Sequence, residues 1–538
     1  MDIKLLRQTV DDLFSKRTSL VMLWQELAEN FYPERADFTF RRELGESYAG
    51  NLTTSYPILT RRELGDQIGA MLRPTSKEWA HMVATNRKED NEAKKWLQWA
   101  NGIQKRAMND RVTQFSRASK EADHDFATFG ADATQVRLNK NGNALLYRTH
   151  HLRDVVWVED ENGVICLIAR KWKPYAKDLV RLFKNNHGSV EQLSRNAPFT
   201  EVECYHIIVD SEMYDGNANG KPFFSIYYDI MHDHKIEEVA QWNKEYAISR
   251  WQTVSGSQYP FSPATITALP DARLIQTMTL TLLDAGENAV RPPLIATKDA
   301  VKSDVGLYSG GITWVDQDYD ERLGEALRPL TQDLSGIPLG IDMMRDARQL
   351  IMQAFYLNKL SLPTHDKEMT AYEIGQRVQE YIRGAMPIFE PMEYEKNGQI
   401  QEMTFDLLRR GGAFGSMNNL PESLRGAEIT FRFESPLHDA IEAQKGHLLM
   451  ESGQMIAQAM QLDPTAGSLV NVKTALRDAL DGAKVPAKWM NSEEEVRQAE
   501  QIMLKQQKQQ QMLQAAESGT ASMANMGKAK KDMASAAA

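Results

Sequence analysis

Residues 259–315 constrain this chain most. The segment opens at Tyr259-Pro260, passes Ala268-Leu269-Pro270-Asp271, and reaches Arg291-Pro292-Pro293-Leu294 and Gly310-Gly311-Ile312. Asp271 after Pro270 is an expected helix cap. The residues behind it present Leu274, Ile275, Met278, Leu282, Leu283 and Ala285 at helical spacing. About 20 residues at 1.5 Å each give a rod of roughly 30 Å. Residues 291–337 are turn-rich and partly β, with 312–315 as the clearest strand. A second helix is expected over 339–357, carrying Met343, Met344, Leu350, Ile351, Ala354 and Phe355. The chain must therefore accommodate two helices that flank one small subdomain.

At 538 residues the chain exceeds what a single core supports, so two to four structural units are expected. Charged residues at 25% and hydrophobic ones at 42% fit a folded, soluble protein. No apolar run approaches the ~18 residues needed to span a bilayer, so no membrane association is expected. Met1-Asp2-Ile3-Lys4 leads into an amphipathic helix rather than a signal-peptide core. Cys166 and Cys204 form no Cys-x-x-Cys pattern and read as two reduced, half-buried thiols, which suits assembly in a cytoplasm. A net charge of −10 argues against tight capture of DNA phosphates. It suits a wall past which a polyanion slides, because like charge leaves no deep well in which to stick.

Along the chain, residues 3–32 carry Leu5, Leu6, Val10, Leu13, Leu20, Leu23, Trp24, Leu27 and Phe31 at helical spacing, with Pro33 as a stop. Further helices are expected at 57–73 and over 91–130, the latter stopped by Gly130. The period then changes to two. Short runs at 144–148, 154–158, 164–172, 201–209, 222–230 and 247–254 read as strands, with turns at Asn162-Gly163 and Asn219-Gly220 and a helix at 175–185.

Residues 358–369 have no usable period and contain Pro363, so they read as a loop. Thr370-Ala-Tyr-Glu373 is a capping box that opens a long helix. Gly384, Pro387 and Pro391 should kink or break that helix near 387–397, because proline removes a donor and clashes with the preceding turn. Gly411-Gly412 ends it. Residues 429–433 alternate as a strand, 437–481 return to helix, and 493–516 form a Gln/Met-rich helix. The composition of 517–538 leaves little to bury, so that stretch is expected to be disordered.

No motif for catalysis emerges. Gly216-Asn-Ala-Asn-Gly220-Lys221-Pro222 lacks the spacing, the hydroxyl and the following helix of a phosphate cradle, and reads as a hairpin turn. His232-Asp-His234 supplies half of a metal site and no second half, and reads as a surface turn. Asp316-x-Asp318-x-Asp320 starts like a calcium loop, but Glu321 stands where the turn glycine belongs. No cofactor is implied. A nucleic-acid-processing enzyme with a scattered active site, or a capsid or tail protein without a channel, are the competing readings.

The order of these features, from the Trp24 helix to the Gln-rich helix, resembles the head-to-tail connector, or portal, proteins of short-tailed bacteriophages. The resemblance implies an α+β portal fold. Its parts would be a wing over 1–270 (helical 1–130, β-rich 143–260), stem helices at 271–290 and 338–357, and a clip at 291–337. A tunnel loop at 358–369, a kinked helix and wing return over 370–436, and crown helices at 437–516 would follow. It implies Lys359, His365 and Lys367 as channel residues facing transient double-stranded DNA, and Lys298, Lys302, Asp304, Asp316 and Asp318 as clip residues. Those clip residues would dock the terminase large subunit and later the head–tail adaptor. It also implies a dodecameric ring at a capsid vertex, contacts with major capsid and scaffolding proteins, and no enzymatic activity.

Overall fold

The computed structural model describes residues 1–296, 327–329, 336–360, 384, 392–433, 453, 455, 472–482, 485, 487–491 and 495–510, apart from positions 44, 47–49, 51, 75–77, 87–89 and 416–419. The chain separates into two compact units. The first combines Met1–Lys77 with Ala107–Leu407, and the second combines Glu78–Arg106 with Leu408–Ala538.

The first unit opens with two helices, α1 (Ile3–Lys16) and α2 (Thr18–Phe31), where one helical opening was expected. The break at Arg17 follows from that residue's side chain. It turns inward, donates to the carbonyls of Leu152 at 2.8 Å and Val155 at 2.6 Å, and lies over the Phe14 ring. Burial lowers its pKa to about 10. Next comes α3 (Tyr56–Leu72), which packs against the helix Phe115–Phe129. Gly65 and Gly69 make that approach possible: a Cβ on Gly65 would collide with the His124 ring, and one on Gly69 would lie 2.9 Å from Asp123 Oδ2.

In the second unit, β1 (Ala80–Ala84) pairs antiparallel with the strand Ile429–Phe433, and Trp79 stacks on Phe433. The helix α4 (Asn91–Met108) places Trp96 beside Trp99 and Phe414, with centroids 6.1 Å apart in each case. The helix Val472–Gly482 and the helical stretch 495–510 are also seen, the latter almost entirely exposed.

The helical region expected over 91–130 consists of two helices, α4 and α5 (Phe115–Phe129), the second closed by Gly130 in the left-handed conformation. A Cβ there would run into the Phe261 backbone. The chain then enters a three-stranded antiparallel sheet of β2 (Ala131–Leu138), β3 (Leu145–His150) and the later β9 (Tyr246–Arg250), with β2 central. A five-stranded antiparallel meander follows in chain order: β4 (Val155–Glu159), β5 (Ile165–Trp172), β6 (Cys204–Asp210), β7 (Phe223–Asp229) and β8 (His234–Gln241). Asn219 and Gly220 both have positive φ, the conformation that an Asn-Gly hairpin turn requires.

Alternation decides which face of the meander meets what. Tyr205, Ile207 and Val209 of β6 face Leu6 and Val10 of α1. Cys204, on the opposite face, joins α6 (Ala176–Leu182) and α7 (Gly188–Asn196) through Leu179 and Val190. Both cysteines are free thiols; Cys204 is buried and Cys166 is half-buried.

Candidate functional site

The sequence that most constrained the chain builds a helical projection. Helix α8 (Pro263–Val290) begins eight residues before Asp271, the expected cap. Ser262 is the cap instead: its side chain accepts from Thr265 N, and its hydroxyl donates to the Ala127 carbonyl at 2.7 Å. Pro263 at the first helical position has the φ a helix needs and lacks only a donor that would be idle there. Pro270 therefore lies inside the helix, not in front of it. Thr265 ties the same end to the Thr128 carbonyl at 2.7 Å, so α8 is anchored on the last turn of α5.

Helix α9 (Ile337–Ala354) runs antiparallel to α8. Thr279 Oγ1 is 3.5 Å from Met344 Sδ, and a Cβ on Gly340 would lie 3.1 Å from Leu282. The proximal parts are seated in the core through Ala264, Ala268, Ala272 and Ile275 on α8 and Ala347 and Ile351 on α9. The distal halves, 276–290 and 337–346, contain no buried residue. They expose Leu280, Leu283, Val290, Leu339, Ile341 and Met343, with Leu283 59% and Leu339 65% exposed. Beyond them, β10 (Leu294–Ala296) and β11 (Leu327–Pro329) pair antiparallel into a short ribbon. The distal halves of this helix pair thus carry apolar side chains that face solvent.

A second cluster lies deep in the same unit. Residues Glu393–Gly398 form a π-helix that leads into the α-helix Gln399–Arg410. The Lys396 ammonium, 1% exposed, is paired with Asp132 of β2, lies 3.6 Å from Asp123 Oδ1 of α5, and sits 4.9 Å above the Phe126 ring. Asp123 is also paired with Arg73, whose Nη1 donates to Asn397 Oδ1 at 2.9 Å. Two cations thus face two carboxylates. Burial pushes the Asp132 carboxyl up, against the opposing pull of the Lys396 ammonium. Next to this quartet, burial and then the charge of Arg61 lower the pKa of His124, and Arg35 holds Asp125 through two hydrogen bonds of 3.0 and 2.6 Å. Asp123, His124 and Asp125, adjacent on α5, thereby bind three different partners.

A third polar group fills the space between the two sheets. His206 Nδ1 is 2.6 Å from the Tyr246 hydroxyl, and its Nε2 is 2.9 Å from Ser225 Oγ. The imidazole stacks on Tyr227 with centroids 4.1 Å apart. His150 contacts Gln135 at 3.1 Å and Arg170 at 2.9 Å. Burial, followed by the charge of Arg170, drives both histidines well below the ordinary imidazole value. A serine beside a histidine suggests a nucleophile, but His206 is fully buried and Ser225 is 5% exposed, so no substrate reaches them. The group ties the two sheets together.

Of the residues singled out by sequence, Lys359 falls in a short helix, Leu357–Leu360, where a loop was expected from 358. Gly384 is helical. His365, Lys367, Pro387, Pro391, Lys298, Lys302, Asp304, Asp316 and Asp318, the strand expected at 312–315, the capping box at 370 and the tail from 517 lie outside the described residues. The helix interruption expected near 387–397 coincides in part with the π-helix. His232 pairs with Asp229 at 2.7 Å, and among the described residues no group of three or more His, Cys, Asp or Glu is arranged to hold a metal. No described helix is long and apolar enough to cross a membrane. Sequence reasoning missed the Lys396 quartet entirely. Its only trace is the run Asp123-His124-Asp125 inside an otherwise amphipathic helix.

Comparison with known proteins gives the family. A family model described as "Bacteriophage head to tail connecting protein" matches residues 4–490. A relative named "Probable portal protein", from Bordetella phage BPP-1, is 23% identical over 456 residues, covering 82% of this chain and 80% of the relative. Two solved assemblies, "Virion of native gene transfer agent (GTA) particle" and "Neck of empty GTA particle computed with C6 symmetry", are each 10% identical. Each covers 74% of this chain and 86% of the matched chain, with TM-scores of 0.34 and 0.35, at which nothing about the fold follows. Since the family model covers nearly the whole of this mixed α+β chain, the chain belongs to the bacteriophage head to tail connecting protein family.

Proposed function

We propose that this chain is the subunit of a portal ring at one vertex of a phage head. Double-stranded DNA enters the head through the ring during packaging and leaves by it at infection. The observation that carries the reading is the family match over residues 4–490, supported by the projecting pair α8 and α9 with its exposed apolar residues. A subunit with such faces gains stability by closing a ring, since repeated head-to-tail contacts either close or grow without limit.

In this reading α8 and α9 are the stem, the β10–β11 ribbon is the base of a clip, and Lys298, Lys302, Asp304, Asp316 and Asp318 lie in that clip. Mixed charge suits a surface that docks the terminase large subunit and then exchanges it for a head–tail adaptor. Lys359, His365 and Lys367 contribute weak, replaceable phosphate contacts around the channel. Gly384, Pro387 and Pro391 shape the helix behind them, and 437–516 contributes a crown. Twelve copies, a short tail, contacts with capsid and scaffolding proteins, and assembly in the host cytoplasm complete the proposal. ATP hydrolysis belongs to the terminase, and no catalytic residue is assigned here.

Deleting residues 360–366 tests the functional part. Rings carrying the deletion should assemble as wild type does but package or retain less DNA in a complementation assay scored by protected genome length. Full packaging by deleted rings would remove the channel role from this segment, and loss of rings would make it structural.

A further inference from the structure

We infer that Lys396 is a positioning residue: the buried quartet Lys396, Asp132, Asp123 and Arg73 clamps the π-helical turn 393–398 and so fixes the register in which the helix Gln399–Arg410 lies on the first unit. A π-helix is rare and poorly bonded, and a six-residue run persists only where its surroundings specify it. Here they do so through side chains. Lys396 reaches Asp132 and Asp123, Asn397 accepts from Arg73 at 2.9 Å and donates to the Leu72 carbonyl at 3.3 Å, and Glu395 accepts from Arg250 at 2.5 Å.

The register has visible consequences further on. Gln399 donates to the Ile248 carbonyl at 3.0 Å and accepts from the Ile248 amide at 3.3 Å, as a neighbouring strand would. Five residues on, Thr404 meets the Tyr147 hydroxyl at 2.8 Å. A shift of one residue would turn Gln399 and Thr404 by about 100° and break both contacts. Charge gives the clamp its selectivity. Asp123 Oδ1 is buried with no hydrogen-bond partner, so the approach of Lys396 is what compensates it, and any register that withdraws Lys396 leaves Asp132 and that oxygen without their cation. A buried ion cluster contributes little net stability compared with apolar side chains of the same size, but it strongly penalises a wrong arrangement. Within the portal reading this clamp fixes the start of the helix Gln399–Arg410. The clamp itself rests only on contacts inside the subunit.

The test compares wild type with K396M and with K396M/D132N, which removes one charge of each sign and leaves Arg73 paired with Asp123. Amide hydrogen exchange is followed by peptide, alongside thermal melting of the isolated subunit. The double variant should keep a cooperative transition and unchanged protection in β6 and β7, while residues 393–404 exchange at least about tenfold faster. K396M alone, which strands Asp132, should lower the melting temperature more than the double variant does. A uniform rise in exchange over the first unit, or a double variant that does not fold, would reduce the quartet to general stabilisation. Unchanged exchange at 393–404 would show that Arg250 and Gln399 hold the turn without it. None of these readouts depends on ring formation, so failure of the clamp leaves the portal reading untouched, and the reverse also holds.

Discussion

Individual residues in the first unit are chosen for what they permit as much as for what they contribute. Gly65 is such a position, because its missing side chain is the space that the His124 ring occupies beside Arg61, whose Nη1 lies 3.0 Å from His124 Nδ1. His150 and His206 set a pH response. Their folded-state pKa values lie well below the value of about 6.5 expected in the unfolded chain, so below that pH the unfolded chain binds protons that the folded one refuses. Stability is therefore complete above about pH 6.5 and falls as the pH drops towards the folded-state values. Asp132 and Glu245, raised by burial, oppose this at the acid end. H206Q should melt earlier than wild type at pH 7.5, yet lose less on going to pH 5.5, with a slope shallower by about one proton. Equal slopes in melts across that range would show that His206 is not a source of the acid sensitivity. None of this was legible in sequence, since His150, His206 and Lys396 find their partners only after strands and helices distant in the chain come together.

At the scale of elements, composition and punctuation carried the legible signal. The strands β4 to β7, the helices α3 and α6, and the Gly130 stop announce themselves through period or punctuation, and they occur within a few residues of expectation. The misses have physical causes. Strand β2 fills its buried start with Ala131, Asp132, Ala133, Thr134 and Gln135, not with the aromatic and β-branched run that marks the equally buried β6, and β8 carries Glu237 and Glu238 side by side beyond a register shift opposite Tyr227 and Tyr228. Helix α7 buries one side chain, Val190. Pro270 misled because a proline in a helix costs one bond, and the Ser262 cap, Pro263 and the contacts of Thr265 together outweigh that loss. At this scale the exposed faces of α8 and α9 carry the assembly prediction. L283K/I341K alters two side chains that are 59% and 45% exposed in the subunit, so its folding stability should change by no more than about 0.5 kcal/mol each. Burying lysine in place of leucine or isoleucine at a subunit contact should nevertheless abolish large oligomers in mass photometry. Oligomers of unchanged mass would place the contact elsewhere.

At the scale of the whole molecule, family membership was legible from the order of helix, turn-rich insert, helix, loop and proline-interrupted helix, which no single motif conveyed. The division into two compact units was not, because Glu78–Arg106 groups with the chain after Leu408 although more than 300 residues intervene. Such long-range grouping leaves no local periodicity to read. In the proposed ring, repeated subunits would present the acidic balance of the chain, −10, many times around one axis. The proposed work resides in the closed set of subunits. Cryo-electron microscopy of the purified full-length protein tests this most directly. The account predicts closed rings with an axial opening wide enough for a DNA duplex, whereas subunits that stay monomeric under all conditions, or rings without such an opening, would contradict it.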